Sequence, residues 1–325
     1  MSRKIVVIGG GTGTYVALTG LREFDTQLSA VVTMMDSGGS TGRLRDQLGV
    51  LPPGDIRQAL VALSESDEVW RKLFTYRFDN GDLGGHNFGN LFLSALEKMT
   101  GDFAEALKLA SELLQIKGEV LPVTYAASDL CVELEDGKII EGETHIDELA
   151  IDKKRSKIKR AYLSPKAPIN KDVRKAICEA DLVLIGPGDL YTSLLVNLLV
   201  DGVVDELSST KAKVVYVLNL MTKYGQTTGY TAKNHVADLE QYLGKGVLDY
   251  ILINSKSPKD ETIKLYEKQQ EIPVKDDLTQ NGYKLVRSDM LADEKIDKPR
   301  ADKLKRSLIR HDPDKLAKTV MSLLD

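Results

Sequence analysis

The chain has 325 residues, 42% of them hydrophobic and 28% charged, with a formal net charge of −4. That is room for one large α/β domain or two smaller ones around a full core. Lys and Arg are scattered among Asp and Glu, which leaves no nucleic-acid footprint. The N-terminal MSRKIVVIGG enters a strand at once, and the longest apolar candidate, near SLLVNLLV, is interrupted by Asn197 and followed by Asp201, so neither a signal peptide nor a membrane span is expected. Cys131 and Cys178 have no CxxC spacing and no nearby His, and both read as small core residues. A cytoplasmic protein is the expectation.

KIVVIG (4–9) reads as a strand, followed by a helix around 14–24. LSAVVTMM (28–35) reads as a second strand ending at Asp36. A loop, DSGGSTGRLRDQLGVLPPG, then leads to a helix beginning near Asp55, and helices fill 55–75 and 87–116. This alternation predicts a Rossmann-like α/β fold, a mostly parallel sheet with helices on both faces. Residues 120–170 alternate differently, around a hairpin signal at Asp136–Gly137, and read as a β-rich insertion with a solvated basic connection at 153–160. The α/β pattern returns at 180–189, 212–221 and 248–255. A charged tail, 285–325, is expected to be helical from Pro313 on, and the chain reads as a single domain.

Five polar, glycine-rich loops carry the chemistry. In the first, Gly9-Gly10-Gly11-Thr12-Gly13-Thr14, glycines let backbone approach a phosphate and the following helix adds its free amides. The pattern fits GxGxxG only in part, since Thr14 holds the last position, and no GK[ST] follows as in a Walker loop. A tight turn without a ligand is the plain alternative. In the second, Asp36, Ser37, Gly38, Gly39, Ser40 and Thr41 resemble another phosphate nest, with Arg43 and Arg45 as counter-charges. Asp36 is placed to grip a ribose, or to hold a divalent metal with Asp55; for Asp55 alone, a helix N-cap is the better reading. The third, GGHNFGNL, offers His86, Asn87 and Asn90, read as ligand contacts, with His86 as a general acid or base the alternative. The fourth repeats the first: Gly186, Gly188, Asp189, Tyr191, Thr192 and Ser193 follow an apolar strand. The fifth contributes Asn219, Thr222, Lys223, Gln226 and Thr227. All except the third sit at predicted strand C-termini, which in open α/β sheets share one edge, so one binding crevice is expected.

Together, IGGGTG, DSGGSTGRLR, PPGDIRQ, GHNFGN, GPGDLYTS and NLMTKYGQTTGYT closely resemble the gluconeogenesis factor family, the YvcK-like proteins, grouped with the CofD-like phospholactate transferases of coenzyme F420 synthesis. The resemblance runs from residue 5 to about 255. It implies a cytoplasmic protein with a Rossmann-like fold and a nucleotide-diphosphate ligand, and it is compatible with a homodimer. On the transferase side it implies a guanosine-linked phospholactate donor, a deazaflavin acceptor and a divalent metal. On the YvcK-like side it implies a UDP-sugar, UDP-N-acetylglucosamine, in a protein linked to cell shape, peptidoglycan synthesis and growth on gluconeogenic carbon sources. The transferases carry consecutive acidic residues after the second strand, whereas here Asp36 stands alone beside arginines and Asp55 is its only acidic partner. That places the chain on the YvcK-like side: a nucleotide-sugar sensor without a required cofactor or an assigned catalytic residue, acting through a protein partner the sequence does not name. The alternatives are a transferase with magnesium at Asp36 and Asp55, and an NAD(P)-binding protein.

Overall fold

The computed structural model describes residues 2–148, 156–293 and 308–324. In chain order the elements are β1 (Arg3–Gly9), α1 (Gly11–Leu21), β2 (Thr26–Val32), α2 (Gly39–Leu48), α3 (Gly54–Leu63), α4 (Glu68–Thr75), α5 (Phe88–Thr100), α6 (Phe103–Leu114) and β3 (Glu119–Pro122). Then come β4 (Asp129–Leu134), β5 (Ile139–Glu141), α7 (Glu143–Glu148), β6 (Ile158–Ser164), α8 (Lys171–Glu179) and β7 (Leu182–Ile185). A π-helical turn (Leu190–Leu195) runs into α9 (Val196–Leu198). The rest are α10 (Val203–Ser209), β8 (Lys213–Val217), α11 (Ala232–Leu243), β9 (Tyr250–Asn254), α12 (Asp260–Glu267), β10 (Lys284–Ser288) and α13 (Pro313–Met321).

Seven strands form one parallel sheet in the order β10-β9-β8-β7-β1-β2-β3. Its centre is apolar on both faces: Ile5 to Ile8 of β1 and Leu182 to Ile185 of β7 are buried. Continuous apolar strands are what helices on both faces require. The chain steps outward from β1 through β2 to β3 and re-enters at β7 on the other side of β1, in register Ile5↔Leu182. That reversal opens a crevice at the carboxyl ends of β1 and β7.

The β-rich insertion is a three-stranded antiparallel sheet, β5-β4-β6. β3 joins the parallel sheet instead, pairing with β2 from Ser29↔Glu119 to Val32↔Pro122. Of the basic connection expected at 153–160, residues 153–155 lie outside the described residues, and Lys159 and Arg160 belong to β6, paired with Glu133. In the C-terminal tail, α13 starts at Pro313, while 294–307 and 325 lie outside the described residues. Two elements differ from the sequence reading. Residues 39–48, read as loop, form α2, closed at Gly49 in the left-handed conformation. Residues 284–288, read as part of the tail, add β10 to the sheet. Cys131 is buried but Cys178 is exposed, so only one cysteine is a core residue: α8 is amphipathic, and Val173 and Ile177 face inward in place of Cys178. Among the described residues no helix is long and apolar enough to cross a membrane.

Candidate functional site

Four of the five loops leave the carboxyl ends of β1, β2, β7 and β8, as their strand positions require. The loops after β1 and β7 form the floor. α1 starts at Gly11, and a Cβ on Gly13 would collide with the Pro187 carbonyl, so only glycine lets these two loops meet. The first-turn amides of a helix have no intrahelical acceptor. One of them, Gly11 N–H, donates to Asp55 Oδ1 at 2.9 Å. Behind the floor, buried Asn197 donates to Gly9 O at 3.3 Å and Ser193 O at 2.7 Å, tying α9 to both loops. Thr14 Oγ1 turns back to Gly10 O at 3.2 Å. On the β8 side, Asn219 Nδ2 donates to Gly188 O at 2.7 Å.

The loop after β2 builds one wall. Gly38 N–H donates to Asp36 Oδ1 at 2.8 Å, and α2 then starts at Gly39, so Ser40 and Thr41 lie in a helical first turn. The third loop braces this wall. Ser40 Oγ lies 3.1 Å from His86 Nδ1 and accepts from Asn87 N–H. Asn90 Nδ2 donates to Thr41 Oγ1 at 3.3 Å, and Asn90 Oδ1 accepts from buried Arg57 at 2.9 Å. Asn87 caps α5 by accepting from Asn90 N–H. Burial first, then the charges of Arg43 and Arg77, push the His86 imidazole below its ordinary pKa, which favours the neutral ring. Arg43 is exposed and donates to Gly84 O at 3.0 Å.

Asp55 is not the N-cap of α3. Pro53 takes that place and the Asp55 carboxylate reaches across to Gly11, because two prolines set the chain's entry and leave the side chain aimed at the crevice. Burial, and secondarily the Asp36 charge, push the Asp55 pKa up to about 7, against the opposing Gly11 N–H and Arg57.

Sequence reasoning missed α7. This helix of the insertion lies across the crevice. Ser37 N–H donates to Glu143 Oε2 at 3.3 Å, and Ser37 Oγ accepts from Thr144 N–H at 3.0 Å. At its other end Asp147 Oδ2 accepts from Lys223 Nζ at 3.0 Å, and Asp147 Oδ1 accepts from Gln226. Lys223 also pairs with Asp189. Burial works against the ammonium, but Asp189 and Asp147 outweigh it and raise its pKa. Burial and the neighbouring Asp36, Asp147 and Asp55 charges raise the Glu143 pKa well above the carboxylate range. The signal was there in GETHIDE, where Glu143 and Asp147 stand four apart on one helical face.

Several expected residues face away from the crevice. Tyr191 is 2% exposed and donates to Asp238 of α11 at 2.6 Å, where Tyr230 also donates. Thr222 Oγ1 accepts from Ile272 N–H at 2.9 Å. Thr192 is buried in the π-helical turn, while Ser193, on the same turn, is half-buried.

The transferase alternative asks for a divalent metal. One oxygen each of Asp36 and Asp55 is already bonded to backbone N–H. Among the described residues no group of three or more His, Cys, Asp or Glu is arranged as metal ligands. Asp36 and Asp55 alone are too few ligands for a protein-built metal site, and we assign no step to a metal.

The family model described as 2-phospho-L-lactate transferase CofD matches residues 5–291. The "Gluconeogenesis factor" of Bacillus subtilis is 41% identical over 327 residues, covering 99% of this chain and 98% of that one. The protein of that name from Halalkalibacterium halodurans is 43% identical over 275 residues, 84% of each chain. A crystal structure of a UPF0052 family member from Bacillus halodurans superposes with a TM-score of 0.89 at 36% identity, covering 99% of both chains. With the glycine-rich loops gathered at one edge of the sheet, the chain belongs to the gluconeogenesis factor family, within the CofD-like superfamily.

Proposed function

We propose that the crevice binds a nucleotide diphosphate sugar, UDP-N-acetylglucosamine, and that the protein is a sensor of it. In this reading it works in the cytoplasm as a homodimer, and through a protein partner it adjusts cell shape, peptidoglycan synthesis and growth on gluconeogenic carbon sources. The observation that carries the reading is the meeting of the first turns of α1 and of the π-helical turn across Gly13 and Pro187, flanked by α2. Amides at helix starts favour bound anions. The diphosphate lies between Gly10–Thr14 and Gly186–Ser193, with Gly38–Thr41 and Arg43 on one side. Asn219 and Lys223 flank the other side. His86, Asn87 and Asn90 support that first wall, and the side chains of Tyr191, Thr222 and Gln226 hold the loops that carry it. No cofactor is required. The name shared by the relatives supports the link to gluconeogenic growth.

Titration calorimetry against UDP-N-acetylglucosamine, GDP and NAD, with and without magnesium, tests this. Binding of the UDP-sugar, independent of magnesium and without turnover, is the expected result. Preference for NAD replaces the reading with a dinucleotide-binding one.

A second reading, a phospholactate-type transferase, is favoured by one observation: the half-buried Asp55 carboxyl stands beside the first glycine loop with its pKa pushed up to about 7, which suits an acid or base in group transfer. Magnesium-dependent preference for GDP, with turnover of a nucleotide-activated donor lost in Asp55→Asn, is its signature.

A further inference from the structure

The donors that a diphosphate needs on the two walls of the crevice are already taken by carboxyl groups of one short helix. Glu143 and Asp147 of α7 are four residues apart and so share a face. Glu143 occupies the Ser37 amide and Asp147 occupies Lys223 and Gln226. Ser37 follows β2 and Lys223 follows β8, strands separated in the sheet by β1 and β7. Strands pack about 4.8 Å apart, so the two walls stand roughly 14 Å apart. A six-residue helix is about 9 Å long, and its side chains close the remainder. α7 therefore passes over the ends of β1 and β7, above the glycine loops. Its polar side is fixed to the walls by hydrogen bonds and one ion pair, while Ile146 is buried in the core on its other side.

We propose that α7 is an autoinhibitory element: its Asp147 carboxylate competes with the ligand for Lys223, and its Glu143 carboxyl holds Ser37 N–H. The inference rests on the nucleotide-sugar reading above and adds its regulation. A diphosphate on the floor brings at least two negative charges beneath Asp147, in a crevice where the carboxyl groups of Asp36, Asp55 and Glu143 already crowd one another. Lys223 cannot neutralise Asp147, Asp189 and a phosphate together, since an ammonium carries one positive charge. Ligand entry moves Lys223 from Asp147 to the phosphate. α7 then tilts about Ile146, and the β4–β5–β6 sheet that carries it changes the face it offers to a partner. Occupancy of the crevice thereby becomes a change on the surface of the insertion.

Hydrogen exchange on the full chain, with and without saturating UDP-N-acetylglucosamine, tests this together with Asp147→Asn and Glu143→Gln. The proposal expects the ligand to slow exchange at 10–14 and 186–193 and to speed it at 143–148 by about tenfold. Asp147→Asn speeds exchange at 143–148 without ligand, tightens ligand binding by about fivefold and abolishes the further ligand effect there. Glu143→Gln, which leaves the Lys223 pair intact, does the same in smaller measure. Slowed exchange at 143–148 with ligand overturns the proposal, because α7 then closes over the ligand. So does weaker binding by both variants. Inorganic pyrophosphate is the second probe. If the UDP-sugar fails to bind but pyrophosphate speeds exchange at 143–148, the sugar reading falls and the competition stands. If neither binds the wild type or either variant, both fall.

Discussion

The floor and the roof of the crevice are built by opposite means. The floor is backbone: glycine loops after β1 and β7, held by Asn197 and by the close approach of Gly13 to Pro187. The roof, α7, is side chain: carboxylates and hydroxyls reaching amides and one lysine. A floor made of backbone cannot be adjusted without disturbing the fold, because its geometry is the geometry of the central strands. A roof held by an ion pair and a few hydrogen bonds is worth little enough to be moved by a ligand. In the proposed reading, affinity for an anion belongs to the sheet and its control to the insertion.

The largest effect should come from the floor. Gly13→Val drives a side chain into the Pro187 carbonyl and is expected to cost about 3 kcal/mol or more in thermal unfolding, with loss of ligand binding. A folded Gly13→Val protein with ordinary affinity would break the comparison.

The next effect is a pH dependence from the carboxylates between floor and roof. The Asp55 pKa is raised from 3.8 to about 7 in the fold. Between those values the folded chain holds a proton that the unfolded chain has released. Stability from this group is therefore complete below pH 4 and is lost as pH rises through 7, with a slope of at most about 1.4 kcal/mol per pH unit. Asp55→Asn should flatten that slope in urea titrations run at several pH values. An unchanged slope would show that Asp55 titrates normally.

Lys223→Met acts on the roof and the floor at once. It removes the cation that Asp147 of the roof holds and that the proposed ligand shares, and is expected to weaken UDP-sugar binding by about tenfold. Because Lys223 and its partners are partly exposed, unfolding stability should fall less than binding does. The smallest effect belongs to a residue behind the floor. Tyr191→Phe loses one hydrogen bond to Asp238, about 1 kcal/mol, and should change ligand affinity by less than about twofold. A larger loss of affinity would mean that the Tyr191 hydroxyl reaches the ligand after all.

How much of this was legible in the sequence depended on where the information lies. β1, β7, β8 and β9 were readable because strands buried on both faces must be continuously apolar, and each glycine loop follows directly from its strand. β10 was not, because a half-exposed edge strand, KLVRS, carries charges that resemble a tail. α2 was hidden because GSTGRLRDQL opens with poor helix formers, and its packing against neighbouring elements overrides that propensity. The role of Asp55 was misread for a different reason. A capping carboxylate and one that reaches another loop look identical in sequence, and only the approach of Gly11 from a distant element separates them. α7 escaped because six residues inside an insertion give too short a helical period to read, although Glu143 and Asp147 carry the spacing.

The most direct test of the central claim is a crystal structure of the protein with UDP-N-acetylglucosamine. The diphosphate is expected between the amides of Gly10–Thr14 and those of Gly186–Ser193, within hydrogen-bond distance of Lys223. A diphosphate bound away from the carboxyl ends of β1 and β7 would contradict that claim.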